Sequence, residues 1–148
     1  MSVLAEQLTP PDLLGEWRFE RTVDDRREAR RMPVHGVATF TLVSPSRIEW
    51  RESGVLESPG GPLPVEQTRH VVRGDGGEWR VLFADGRDFH PWAVDAELVH
   101  DCAPDVYRGH VHPTLSGSWT MEWTSTGPAK DYTSTTTYSR AGAGDAPV

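Results

Sequence analysis

The segment at residues 15–21, GEWRFER, most constrains what this chain can fold into. Large and charged side chains alternate in it with a period of two. Trp17, Phe19 and Arg21 therefore share one face, and residues 16, 18 and 20 share the other. A glycine begins the segment, directly after a short Pro-Pro-Asp-Leu-Leu turn. The pattern predicts a first strand over residues 16–23 with its aromatic face buried.

Short segments of the same kind continue along the chain, separated at regular intervals by turn signals such as Asp85-Gly86. Strands are predicted over residues 16–23, 36–43, 47–56, 65–73, 78–84, 87–92, 96–102, 105–112, 119–125 and 130–140, with a charged connection at 24–33 and a loop at 58–62. Sequential hairpins predict an all-β fold, an antiparallel up-and-down β-barrel of about nine or ten strands. An open sandwich is the alternative.

The chain is expected to form one domain over residues 1–140, since 148 residues are enough for one substantial core. Residues 1–14 are expected to form an N-terminal arm with a short helical turn. Leu13 and Leu14 would anchor this arm over a barrel mouth. Residues 141–148 are rich in Gly, Ala and Asp, which predicts a disordered tail.

A Gly-x-Trp at the start of the first strand and an arginine in the last strand resemble the closure signature of the calycin barrels. These include the lipocalins and the fatty-acid-binding proteins. The resemblance implies that Trp17 plugs one barrel end and that Arg140 stacks across it. Residues 14–17, 83–90, 100–107 and 127–132 also resemble a family of small uncharacterised bacterial barrel domains. Together the resemblances cover approximately residues 13–140, and they imply a fold without a chemistry.

Charge and composition exclude several classes of partner. The formal net charge is −7, and the basic run at residues 26–31 is balanced by Asp24 and Asp25, so no nucleic-acid partner is expected. No segment approaches the ~20 apolar residues that cross a bilayer, so no membrane partner is expected. Cys102 is the only cysteine. Without an internal disulfide or a recognisable leader, the expected location is the cytoplasm.

Glu52 is the leading candidate for chemistry, because it shares a strand face with Trp50 and is expected inside the barrel. A carboxyl group beside an indole suits a general acid or base. The equally weighted alternative is a structural ion pair with Arg21 or Arg69. The same alternation places Met121, Ser134, Thr136 and Tyr138 on inward faces.

His100 and Tyr107 are the other candidate catalytic residues, as a proton relay or a grip on a polar ligand group. The alternative is a histidine with satisfied hydrogen bonds in the core, and Cys102 is expected to be a buried structural thiol. The expected ligand-binding residues are Arg21, Trp50, Arg69, Phe83, His90, Trp123 and Tyr132.

The remaining polar residues suggest weaker possibilities. His90 is expected at a barrel mouth, and because some barrels of this class carry haem on a single histidine, a haem role stays open. His110 and His112 share a face, as a metal pair would, but exposed positions at a strand end are favoured and no metal site is predicted. Lys130 is expected to form an exposed ion pair with Asp131.

The predicted function is binding of a small apolar or aromatic organic molecule in an aromatic cavity. One hypothesis is a cofactor-independent enzyme of isomerase, cyclase or lyase type in secondary metabolism, which uses acid–base chemistry. The alternatives are a non-catalytic carrier or sensor, or a haem-binding barrel, and a homodimer is left open. An inward ionisable group without a protein partner would favour the enzyme, whereas mutually paired groups would favour the carrier.

Overall fold

The computed structural model describes residues 8–141, which form one short 3₁₀ turn and ten strands. The 3₁₀ turn is Pro10–Leu13. The strands are β1 Gly15–Asp25, β2 Arg30–Ser44, β3 Arg47–Ser58, β4 Gly61–Arg73, β5 Trp79–Phe83, β6 Asp88–Pro91, β7 Leu98–Cys102, β8 Asp105–Pro113, β9 Trp119–Thr126 and β10 Asp131–Arg140. The predicted all-β class and the strand number are confirmed.

All ten strands belong to one antiparallel sheet in the order β6-β5-β4-β3-β2-β1-β10-β9-β8-β7. Neighbours in sequence pair as hairpins, and β1 pairs with β10, so the first and last strands lie side by side. The sheet therefore curls into a nearly closed up-and-down barrel, as predicted. The remaining seam lies between β6 and β7, where Phe89 and His100 place their ring centroids 5.3 Å apart.

Residues 8–14, the described part of the N-terminal arm, cover one end of the barrel. Leu13 is 1% exposed, and the indole nitrogen of Trp17 donates to its carbonyl oxygen at 2.8 Å. The indole of Trp92 donates in the same way to the carbonyl of Leu8 at 3.0 Å. Two indole donors thus find backbone acceptors in the arm, which satisfies polar groups that burial would otherwise leave unpaired.

An aromatic core fills the barrel near this end. Trp119 and Tyr138 stack with ring centroids 3.9 Å apart, and Phe40 stacks on Trp50 at 4.9 Å. Trp17 meets Trp119 edge-on at 6.0 Å. These residues alternate with outward polar ones along their strands, so the period-two pattern of the sequence directly produces the core.

Two predicted connections are wrong. Residues 24–33 were expected to be a charged connection between strands, but β1 continues to Asp25 and β2 begins at Arg30. The charges do not interrupt pairing because they lie on the exterior, where Arg26 reaches Asp131 at 2.8 Å across the sheet. Likewise, a loop was expected at residues 58–62, but β3 runs to Ser58 and β4 begins at Gly61. Only a two-residue turn separates these strands.

Of the tail predicted to be disordered, residues 142–148 lie outside the described residues. Within residues 8–141, no helix has the length and apolar character needed to cross a membrane.

Candidate functional site

A cavity of about 210 Å³ lies inside the barrel wall. It is lined by eight of the predicted site residues: Arg21, Trp50, Glu52, Arg69, His90, Tyr107, Trp123 and Tyr132. They come from strands on both sides of the chain closure, because the curled sheet brings their inward faces together. Two predicted residues, His100 and Phe83, do not line it.

Glu52 is buried, with 6% exposure, and both oxygens of its carboxylate accept from protein donors. Oε1 accepts from Nη2 of Arg21 at 2.7 Å. Oε2 accepts from the Trp50 indole at 3.1 Å and from the Tyr138 hydroxyl at 2.5 Å. Of the two arginines considered as its partner, Arg21 is the one in contact. Because three donors hold this carboxylate, it fits the role of a structural ion pair in the barrel wall better than the role of a free general base.

The other members of this network are also satisfied. Nε of Arg21 donates to Thr136 at 2.7 Å, and a second contact joins Arg21 to the Tyr138 hydroxyl at 3.2 Å. Burial raises the pKa of Tyr138 well above its ordinary value, and the neighbouring Glu52 adds to the effect. Tyr138 therefore stays a neutral hydroxyl that donates to the carboxylate.

Arg69 projects into the cavity from β4 beside two stacked rings. Its guanidinium carbon lies 5.1 Å from the centre of the Phe89 ring and 5.4 Å from that of Phe83. The Gln67 amide, oriented with its oxygen toward Arg69, accepts from the guanidinium. Burial lowers the pKa of Arg69 even though the charge of Glu52 opposes this shift. The protein thus leaves the charge of Arg69 poorly compensated.

His90 is buried in the wall with 1% exposure, so its expected position at an open mouth is wrong. Its Nδ1–H donates to the carbonyl of Pro91 at 2.7 Å. Burial lowers the pKa of His90 to about 4, so the ring is neutral at pH 7. Within the described part of the chain, its Nε2 has no hydrogen-bond partner, and it remains an acceptor at the cavity wall.

Tyr107 and Tyr132 also line the cavity, and Lys130 contacts Tyr107. Nζ of Lys130 donates to the Tyr107 hydroxyl at 2.8 Å and lies 3.3 Å from Asp105. These two contacts, Tyr107 first, raise the pKa of Lys130. The predicted pairing of Lys130 with Asp131 is wrong, because Asp131 pairs with Arg26 on β1. Burial raises the pKa of Tyr132.

His100 and Phe83 form a layer behind the lining. Phe83 stacks on Phe89 at 4.4 Å, and the His100 ring centroid lies 5.4 Å from that of Phe83 and 6.0 Å from that of Tyr107. His100 and Tyr107 are cross-strand partners, so they meet as the alternation indicated. Only Tyr107 of the two reaches the cavity.

Cys102, His110 and His112 lie away from the cavity. Cys102 is exposed, so the prediction that its thiol is buried is wrong. Cys102 lies at the end of the β7–β8 hairpin, where pairing with Asp105 leaves its side chain in solvent. His110 stacks on His112 with centroids 5.5 Å apart, and His112 contacts Asp95 at 2.9 Å. Over residues 8–141, no three potential ligands gather into a metal site.

Sequence reasoning gave no site role to six lining residues: Gln67, Phe89, Met121, Ser134, Thr136 and Tyr138. The last four were placed on inward faces by alternation alone. Gln67 could have been found in the same way, since it lies two residues before Arg69 on one strand. Phe89 could not, because a register shift in the β5–β6 pairing buries it together with its neighbour His90.

The fold has relatives among solved structures. The S-type phycobiliprotein lyase from Guillardia theta superposes with a TM-score of 0.67 at 13% identity, over 88% of this chain and 89% of that one. EF1p2_mFAP2b bound to DFHBI gives 0.50 at 12% identity, over 88% and 94%. The redesigned β-barrel mFAP1 bound to DFHBI gives 0.47 at 14% identity, over 88% and 97%. At these identities the likeness is one of fold.

Sequence comparison identifies a family. No curated protein matches the chain significantly. The model of DUF6314, a family of unknown function, matches residues 13–140. The matched segment begins at the last residue of the 3₁₀ turn and includes all ten strands and every residue that lines the cavity. The chain therefore belongs to the DUF6314 family.

Proposed function

We propose that this chain is a calycin-like barrel that binds a small, flat, largely apolar organic molecule and holds it without transforming it. The state of Glu52 carries the proposal: its carboxylate is buried and accepts from Arg21, Trp50 and Tyr138. A general base needs a lone pair directed at the substrate. The carboxylate expected to do the chemistry is instead occupied in holding the wall together, which favours a carrier or sensor.

The size and lining of the cavity support a flat guest. At about 210 Å³ the cavity is smaller than the ~300–1,000 Å³ of pockets for drug-sized ligands. Its walls include the rings of Trp50, Phe89, Trp123 and Tyr132. Such walls suit a guest of one or two conjugated rings. Among relatives of the fold, EF1p2_mFAP2b was solved with DFHBI bound, so a barrel of this kind can accommodate a guest.

A haem does not fit these residues. His90 is the histidine that lines the cavity within residues 8–141, and because its Nδ1–H donates to Pro91, Nε2 would be the ligating atom. At about 210 Å³, however, the cavity is too small for a porphyrin macrocycle.

A second candidate is the cofactor-independent enzyme of isomerase, cyclase or lyase type. It is favoured by one observation: His90 is neutral and keeps Nε2 as an acceptor at the cavity wall. Tyr107, held by Lys130, could then supply a proton to the guest. One relative of the fold is named a phycobiliprotein lyase.

Two measurements test the proposal. Quenching of tryptophan fluorescence by 2-naphthamide should give saturable one-to-one binding, since Trp50 and Trp123 line the cavity. Ser134→Phe fills the cavity from β10 and should abolish the binding. Ser139→Phe adds the same ring to an exposed position on the same strand and should preserve it. Equal binding by both variants would place the probe outside the cavity and contradict the proposal.

The carrier and the enzyme are separated by the fate of a natural guest. Native mass spectrometry of protein purified from its source should show a retained molecule. Incubation of that molecule with fresh protein should return it with unchanged mass and connectivity. Conversion that is lost in a folded His90→Asn variant would establish the enzyme instead.

A further inference from the structure

The charges of the cavity wall do not balance. Among its lining residues, Arg21 and Arg69 are cationic and Glu52 is anionic, while His90 is neutral at pH 7. One positive charge is therefore in excess, in a chain whose formal net charge is −7. Because charges inside a protein are poorly screened, an excess of this kind favours a guest of the opposite sign.

The excess is located at Arg69. Arg21 has a carboxylate at 2.7 Å and two hydroxyl contacts, so its charge is compensated. Within the described residues, Arg69 has no carboxylate within ion-pair distance. Its polar partner is the neutral amide of Gln67, and its other neighbours are the rings of Phe83 and Phe89. A half-buried guanidinium carries five N–H donors, and a neutral amide oxygen satisfies only part of them.

The surroundings of Arg69 suit an anion attached to a flat body. Phe89 is stacked between Phe83 and Trp123, with ring centroids 4.4 and 4.8 Å apart, and the guanidinium carbon of Arg69 lies beside this stack, 5.1 Å from the centre of the Phe89 ring. The cavity is lined by Arg69 together with Phe89 and Trp123, so a guest held in it can place its edge near the guanidinium. A planar guanidinium matches a carboxylate through two parallel hydrogen bonds, an arrangement that a point charge does not offer.

We infer that Arg69 is the binding site for a carboxylate, and that the guest is an aromatic or conjugated carboxylic acid bound as its anion. The inference rests on the proposed binding function and adds the chemical class of the guest. Gln67 positions the guanidinium through its amide oxygen, and Glu52 stays with Arg21 when the guest is bound.

The test compares two probes of nearly the same shape, 2-naphthoate and 2-naphthamide, by tryptophan fluorescence and isothermal titration calorimetry. The wild-type protein should bind the carboxylate about tenfold to a hundredfold more tightly, as expected for a hydrogen-bonded charge pair. Arg69→Met should abolish this preference by weakening 2-naphthoate, with the affinity for 2-naphthamide changed less than about threefold. Arg80→Met is the control, since Arg80 is paired outside the cavity with Asp88 at 2.6 Å.

The outcomes separate this inference from the proposed function. Equal affinity of the wild-type protein for both probes would overturn the carboxylate site and leave small-molecule binding intact. A preference that survives in folded Arg69→Met would overturn it as well. Binding of neither probe would overturn both claims. If Arg69→Met does not fold, Arg69→Gln takes its place, with the same loss of preference expected and a retained preference overturning the site.

Discussion

The guanidinium carbon of Arg140 lies 4.0 Å from the centre of the Trp17 ring, and the two residues are cross-strand partners in the β1–β10 pairing. Nη1 and Nη2 of Arg140 also donate to the carbonyls of Leu14 and Asp12 at 2.8 and 2.9 Å. One side chain from the last strand therefore holds the first strand and the N-terminal arm together. Glycine is required at residue 15, where φ is +112° and a Cβ would meet the same guanidinium.

Replacing this arginine should destabilise the barrel. Arg140→Met keeps a long apolar stem but removes the cation–π contact and two charge-assisted hydrogen bonds, so a loss of about 2–3 kcal/mol is expected. Urea unfolding followed by tryptophan fluorescence measures it. Arg51→Met, on the exposed face of β3, should change stability by less than about 0.5 kcal/mol. Equal effects of the two variants would contradict a closing role for Arg140.

The ion pair of Glu52 and Arg21 should behave as one unit. Glu52→Gln removes the charge that compensates Arg21 and presents an amide to three donors, so a loss of about 2–4 kcal/mol is expected. Arg21→Met leaves the carboxylate without its cation and should cost a similar amount. The double variant should lose less than the sum, with a coupling of at least about 1 kcal/mol in urea unfolding. Additive losses would show that the two side chains act independently.

Much of the fold could be predicted because period-two alternation is a local property of the chain. Trp17 at one end and Arg140 at the other could be placed on inward faces from their own strands alone. Which partner Glu52 takes could not be predicted, because Arg21 and Arg69 both face inward and only the three-dimensional register selects between them. Phe89 and His90 are buried consecutively at a register shift, where alternation fails.

Acid should destabilise the protein through His90. The pKa of this histidine is about 4 in the folded state, against an ordinary value of 6.5, because burial disfavours the charged ring. Between these values the unfolded chain binds a proton that the folded chain excludes, so the free energy of unfolding falls as the pH falls from about 6.5 to about 4. The loss approaches about 1.4 kcal/mol per pH unit, or about 3 kcal/mol in all, and it levels off below the folded pKa.

His90→Asn isolates this contribution. The asparagine amide can keep the hydrogen bond to Pro91 but has no proton to take up, so the variant reports the acid sensitivity of all other groups. Urea unfolding at intervals from pH 7 to pH 4 should show a steeper loss of stability in the wild-type protein than in the variant. Parallel pH dependences would mean that His90 titrates normally.

Gly109 controls the position of a cavity wall. It is the cross-strand partner of Trp123, and a Cβ at residue 109 would lie 2.6 Å from Cε3 of the indole and 2.8 Å from the carbonyl oxygen of Glu122. Gly109→Ala must therefore displace the Trp123 ring, which lines the cavity and stacks on Phe89 at 4.8 Å. We expect a loss of about 1–3 kcal/mol in stability and about tenfold weaker binding of 2-naphthamide. Gly60→Ala is the matched control, because the nearest atom to its added Cβ is Oγ of Ser58 at 4.0 Å. If Gly109→Ala binds the probe as tightly as Gly60→Ala does, Trp123 does not form part of the binding surface.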